Sequence, residues 1–357
     1  MKYALIGCGR ISLLHLEAAH ANGFEIAALC DVRPEKAAER AKLPGCGDAA
    51  IFDDHKKMLA AVRPDLVAVT TDSGNHARVA LDCIDAGCGV IIEKPIALSM
   101  ADAREIVRRS REKGVLVCTC HQNRFNKSVK RIRGAVEEGR FGKLLHGAAY
   151  VRWSRDREYY SLDEWRGTWK SDGGTLMNQC IHDIDLLRWM MGPEITEVYA
   201  YTDRLAHDYI EAEDFGCAVV RFANGSYGII EGTTNVYPDD LEEKLCIFGT
   251  KGTAKAGGIS CNTLEAWAFE GDESNSADVI DSAHEAVPNV YGFGHAAVYA
   301  DMKEAMVTGR DPYITAEDGM RAVELVLAIY KSSAEHRPVA LPLGDASTAD
   351  FEGMFDK

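Results

Sequence analysis

The stretch that most restricts how this chain can fold is "YALIGCGRIS", residues 3–12. An apolar run ends at Gly7, a Gly-x-Gly turn follows, and "ISLLHLEAAHANG" then reads as a helix. A second apolar run, "EIAALCD", ends in Asp31. Strand, tight turn, helix and strand at this spacing form a unit of two parallel strands joined by a helix. The pattern continues through "LVAVTT", "GVIIEKP" and "VLVCTC", separated by "PEKAAERAKL", "NHARVALDCIDAG" and "MADAREIVRRSREKG". Continuously apolar strands alternating with helices predict a parallel sheet covered on both faces, a doubly wound α/β domain. Gly23, Gly87 and Gly114 stand where the helices should stop.

The pattern changes after residue 122. "KSVKRIRGAVEEG" is one amphipathic helix, and "LLHGAAYVRW" is strand-like. Longer alternating runs follow: "EITEVYAYTDR", "DFGCAVVRF", "YGIIEGTT", "KLCIFGT" and "TAKAGG", with Asn224-Gly225 as a hairpin turn. Two helices, about 295–309 and 315–335, close the chain. Its 357 residues exceed what one core usually serves. The expected partition is 1–122, α/β, and 123–357, α+β with a mostly antiparallel sheet.

A formal charge of −15 argues against nucleic acid and anionic membrane surfaces as partners. No apolar run reaches the length of a membrane span. Eleven cysteines without paired zinc spacing read as buried thiols in a reducing compartment, which points to the cytoplasm.

The Gly-x-Gly turn has a chemical meaning. Gly7 and Gly9 let the backbone turn tightly and approach a pyrophosphate, which the helix N-terminus faces. Ser12 occupies the third glycine position. Asp31 would accept the adenosine ribose hydroxyls and repel a 2′-phosphate, so NAD is expected over NADP, with Arg33 softening the preference. Gly7, Cys8, Gly9, Arg10, Ile11, Asp31 and Arg33 are the expected cofactor contacts at this end. Glu93, Lys94 and Pro95, at the carboxyl end of a strand, are expected at the other, and Thr71, His76 and Gln122 are counted with them.

One helix-like stretch, "MNQCIHDIDLLRW" (177–189), is apolar except for a stripe of Asn178, His182, Asp185 and Trp189. It follows the glycine-rich, flexible "DGGT". His182 and Asp185 have the spacing of two metal ligands, but a third is missing, so no metal is expected. "YYSLDEWRGTWKSDGG" before it mixes rings and charges in a way that suits a sugar. Tyr160, Trp165, Arg166 and Trp169 are candidates for a pocket or nicotinamide wall. His207, Tyr237 and His295 are weaker candidates that read first as structural, and His76 shares that structural alternative.

The Gly-Cys-Gly turn, "TTDSGNHARVA", "EKP", "GGTLMNQCIHDIDLLRW" and the closing "GHAAVYADMKEAMVTGRDPYITAEDGMRAVELVLAIYKS" occur in that order. Together they resemble the glucose-fructose oxidoreductase / inositol dehydrogenase (Gfo/Idh/MocA) family over nearly the whole chain. The resemblance implies an N-terminal Rossmann domain and a C-terminal α+β domain with a large open sheet. It implies NAD(P)-dependent oxidation or reduction at a ring carbon of a sugar, cyclitol or sugar nucleotide, in a cleft between domains. Carried over by position, the reactive residues are Lys94, Asn178 and His182. Asn178 departs from members with aspartate there, and "MNQ-x-I-H" resembles a branch that includes sugar-nucleotide dehydrogenases.

Oxidising an alcohol needs a base for the hydroxyl proton and an acceptor for the hydride. Histidine suits the first task. Lys94 can stabilise charge on the same oxygen or be the base itself. His182 is expected as acid/base, Lys94 as electrostatic partner, and Asn178 as bonding substrate or His182. The competing readings are a metal-dependent hydrolase or isomerase and a non-catalytic dinucleotide-binding regulator. The open sheet suggests a homodimer or homotetramer.

Overall fold

A computed structural model describes residues 1–192, 194–272, 275–287 and 289–356. The chain divides into two compact units, Met1–His121 with His295–Met320, and Gln122–Gly294 with Arg321–Lys357.

The first unit runs β1 (Lys2–Ile6), α1 (Ser12–Ala21), β2 (Glu25–Cys30), α2 (Pro34–Arg40), β3 (Ala50–Phe52), α3 (His55–Val62), β4 (Leu66–Val69), α4 (His76–Asp85), β5 (Gly89–Ile92), α5 (Met100–Lys113) and β6 (Val117–Thr119). The six strands are parallel in the order β3-β2-β1-β4-β5-β6. Strand order reverses between β1 and β4, which opens a ligand crevice at their carboxyl ends. All four residues of β4 and of β5 are buried, as a sheet covered on both faces requires.

The second unit holds α6 (Lys127–Glu137), β7 (Leu144–Arg152), α7 (Arg157–Ser161), α8 (Thr175–Asn178), α9 (Ile181–Met191), β8 (Ile195–Asp203), β9 (Phe215–Phe222), β10 (Tyr227–Thr233), β11 (Glu242–Gly249), β12 (Gly252–Gly257), β13 (Thr263–Phe269) and α10 (Ser276–Ser282). Next comes α11 (Gly294–Thr308), nearly all of it in the first unit. α12 (Ala316–Glu335) and β14 (Val339–Ala340) complete the order. The expected partition placed all of 295–320 in the second domain. Instead α11 returns to the first, where the Tyr299 hydroxyl meets that of Tyr3 at 2.8 Å.

Eight strands in the order β13-β12-β11-β7-β10-β9-β8-β14 form the second sheet, antiparallel except for the β7/β10 pair. α9 packs on β7, β10 and β11. Small residues allow this close approach: a Cβ on Gly147 would lie 2.8 Å from Leu187 and Met191, and one on Gly232 would lie 2.6 Å from Cys180 and Leu176. The outward-facing positions leave Tyr201, Val219, Tyr227 and Ile229 exposed, the alternation of a half-covered sheet. Among the described residues no helix is long and apolar enough to cross a membrane. All eleven cysteines are free thiols.

Candidate functional site

In the first unit the glycine turn is built for closeness. Gly7 has φ +98°, and a Cβ there would lie 2.6 Å from the Thr70 carbonyl and the Thr71 amide. Its first constraint is thus the neighbouring β4 loop, whose Thr70 hydroxyl donates to Gly7 O at 2.6 Å. A Cβ on Gly9 would meet no protein atom, so the space before it is open to a ligand. Ser12 turns out to have a role of its own: its hydroxyl donates to Gly9 O at 2.5 Å. Arg40 of α2 braces both, donating to Ser12 Oγ at 3.0 Å and to Gly9 O at 3.2 Å. Nothing in the sequence pattern pointed to Arg40.

Asp31 accepts from the Cys8 amide at 2.7 Å and from the Arg33 amide at 2.9 Å. Its carboxylate thus stands beside the Gly-x-Gly turn, at the place where adenosine ribose hydroxyls are bonded in this architecture. The Arg10 and Arg33 side chains are exposed, Ile11 precedes α1, and the Cys8 thiol is buried, its pKa pushed up to about 12 chiefly by burial. These residues fit a dinucleotide. Asp31→Ala should weaken NADH binding on the order of tenfold or more, by loss of charge-assisted hydrogen bonds. NADPH should lose less, and fluorescence titration with both cofactors measures the difference.

At the ends of β4 and β5, His76 ties two loops together. Its ring nitrogens lie 2.7 Å from Pro95 O and 3.1 Å from Thr71 O. Glu93 is buried, while Lys94 is half-buried at the strand end.

In the second unit, "MNQCIHDIDLLRW" is two helices, where one was expected. The Cys180 amide donates to Thr175 O, five residues back, at 3.1 Å, which breaks the regular ladder between α8 and α9. "DGGT" is pinned where flexibility was expected. Asp172 accepts from the Gly167 amide at 2.6 Å and from the Asn178 side chain. Gly174, at φ +94°, leaves no room for a side chain beside the Glu213 carboxyl. Asp172 thereby brings a carboxylate to Asn178, the position where the sequence had exchanged an acid for an amide.

His182 and Asn178 are nearly buried, at 7% and 8% exposure. Gln122 Nε2 lies 3.3 Å from His182 Nε2. Asn123 beside it donates to Glu243 at 2.7 Å, and the Cys261 thiol reaches Asp183 at 3.4 Å. Burial pushes Asp183 up to about 7 and also raises Glu243, so these two carboxyls hold a proton between them. Asp185 is engaged by Arg124 through two bonds of 2.6 Å, and by Arg188 at 3.1 Å. The guanidiniums of Arg124 and Arg133 each lie over the Trp189 ring, 4.7 and 4.6 Å from its centre. The polar stripe thus divides, with Asp185 and Trp189 in structural pairing.

The aromatic segment before α8 divides likewise. Arg166 donates to the Tyr159 hydroxyl at 2.6 Å and lies over the Tyr159 and Trp165 rings. The Tyr160 hydroxyl is 3.3 Å from that of Thr234. Trp169, expected in the pocket, has no exposed surface. It packs edge-on to Tyr330 at 5.1 Å and against Phe351 and Phe355. It is a core residue, because the C-terminal segment, which the sequence reading left unassigned, covers it.

Glu213 is buried and accepts from the Leu176 amide and the Tyr330 hydroxyl, each at 2.7 Å. Burial pushes its pKa up to about 8. The folded state therefore binds a proton more tightly than the unfolded one, and stability falls as pH rises through the range from about 4.5 to 8. Glu213→Gln should flatten that decline in a series of thermal melts.

Residues 1–121 match the model "Oxidoreductase family, NAD-binding Rossmann fold", and residues 133–341 match "Oxidoreductase family, C-terminal alpha/beta domain". The WlbA dehydrogenase of Bordetella pertussis, solved with NADH and UDP-GlcNAcA, is 36% identical with a TM-score of 0.90, covering 96% of this chain and 98% of that one. The WlbA dehydrogenase of Chromobacterium violaceum, solved with the same two ligands, is 34% identical with a TM-score of 0.88, covering 96% of each chain. The myo-inositol 2-dehydrogenase of Thermotoga maritima is 29% identical over 96% of this chain and 98% of its own. The two matches together cover most of the chain and make the protein an NAD-binding oxidoreductase, and the chain belongs to the Gfo/Idh/MocA oxidoreductase family.

Proposed function

We propose that the protein oxidises a ring hydroxyl of a UDP-linked N-acetylated hexuronic acid, with UDP-GlcNAcA the first substrate to test. The observation that carries this reading is the full-length likeness, at 36% identity and a TM-score of 0.90, to a dehydrogenase solved with that sugar nucleotide. Among the ring carbons of such a substrate only C3 and C4 carry a free hydroxyl, so the reaction is at one of these.

Bound NAD⁺ supplies the hydride acceptor at its nicotinamide. His182 takes the hydroxyl proton as the C–H hydride leaves, giving a ketone, NADH and an imidazolium. Gln122 orients the His182 ring through Nε2. Lys94 donates to the reacting oxygen and stabilises its developing charge. Asn178, held by Asp172, bonds the substrate. Arg166 and Tyr160 belong to its pocket. The exposed apolar residues of the second sheet support a homodimer or homotetramer, which light scattering tests.

The deciding experiment follows NADH absorbance with UDP-GlcNAcA, UDP-GlcNAc, UDP-glucuronic acid and myo-inositol. Turnover of UDP-GlcNAcA well above the rest is expected. Preference for myo-inositol would overturn the substrate assignment.

A further inference from the structure

Beneath Lys94 lies a buried network that the reaction above leaves unused. Glu93 closes β5 at 5% exposure. One carboxylate oxygen is 2.8 Å from His15 Nε2 of α1 and 3.6 Å from His295 Nε2 of α11. The other accepts from the Lys94 amide at 3.1 Å. The remaining nitrogen of His15 lies 2.8 Å from the Tyr299 hydroxyl, itself 2.8 Å from that of Tyr3 on β1.

The order of donors follows. Burial lowers the pKa of His15, so its imidazole is neutral and carries one proton. With that proton on Nε2, facing Glu93, Nδ1 accepts from Tyr299, and Tyr299 accepts from Tyr3. Each dipole points its positive end toward Glu93. Burial alone would raise the Glu93 pKa, but the His15 hydrogen bond and the nearby His295 ring overcome it and hold the carboxyl well below its usual range. The other groups around it are Cys120, whose buried thiol is raised first by burial and then by the Glu93 charge, and His76 beyond Pro95.

We propose that His15 and His295 are positioning residues of the reaction: they keep Glu93 a carboxylate, which pins the Lys94 amide and holds the Lys94 side chain as an ammonium. The proposal rests on the reading that Lys94 contacts the reacting oxygen. A full negative charge on the preceding residue favours the protonated amine. Lys94 then acts as a hydrogen-bond donor, and the proton-accepting task falls to His182.

The test compares Glu93→Gln, His15→Ala, His15→Gln and Lys94→Met in the full chain. Readouts are the pH profile of kcat/KM, NADH affinity by fluorescence and metal content. Glu93→Gln, nearly isosteric, should move the alkaline limb down by about one pH unit or more. Turnover at the optimum should fall about tenfold or more. His15→Ala should shift the profile the same way, and His15→Gln, which keeps an N–H donor, should restore most of it. An unchanged profile in Glu93→Gln with an inactive Lys94→Met sinks the proposal while leaving the Lys94 reading intact. Full activity in Lys94→Met sinks both. Donor atoms of His15, Glu93, Cys120 and His295 lie within 4.8 Å of one another, so stoichiometric bound zinc would also overturn it.

Discussion

Asp185→Ala should destabilise the second unit by about 3–5 kcal/mol, because it removes the carboxylate from a buried pair. Arg124 is 1% exposed and Asp185 is fully buried. Both bonds between them are 2.6 Å, the fork geometry that suits a guanidinium to a carboxylate. Arg124→Ala should cost less, since Arg188 still lies 3.1 Å from Asp185 and balances its charge. Urea denaturation followed by tryptophan fluorescence checks the ranking. Equal losses would mean that Arg188 contributes nothing to holding Asp185.

His182→Asn should lower turnover on the order of 10²–10⁴-fold, the range for losing a general acid or base. NADH binding should persist, because the glycine turn and Asp31 stand in the other unit and do not depend on His182. Gln122→Ala should lower kcat less, by freeing the imidazole ring without removing it. Single-turnover measurement of NADH formation separates the chemical step from product release. Near-normal turnover in His182→Asn would move the base assignment to Lys94.

Much of the first unit was readable because its strands are buried on both faces and its helices are punctuated by glycine. Gly23, Gly87 and Gly114 all have positive φ where helices end. β3 and α3 escaped notice because little of them is buried: β3 has no buried residue, and α3 buries only Met58 and Leu59. The Asp54 side chain accepting from the Lys57 amide was the available signal for α3. In the histidine segment the periodicity located the helix but not its break, which arises where Cys180 and Leu176 meet Gly232 on the sheet. Local sequence does not contain that contact. The same holds for Glu93 at His15 and Gln122 at His182, which are 78 and 60 positions apart. Periodicity marked His182 as unusual, and the resemblance alone gave it and Lys94 their roles.

The return of α11 to the first unit bears on how the chain comes off the ribosome. Tyr299 and His295, which complete the surroundings of Tyr3, His15 and Glu93, are made only after residues 122–294. At about 5–20 residues per second, the first 121 residues wait roughly 10–35 s for their last helix. A fragment ending at residue 121 would lack that helix permanently, leaving the buried face of Tyr3 bare. The first unit is therefore a discontinuous module. Chimeras that swap cofactor domains at residue 121 should misfold unless residues 295–320 travel with them.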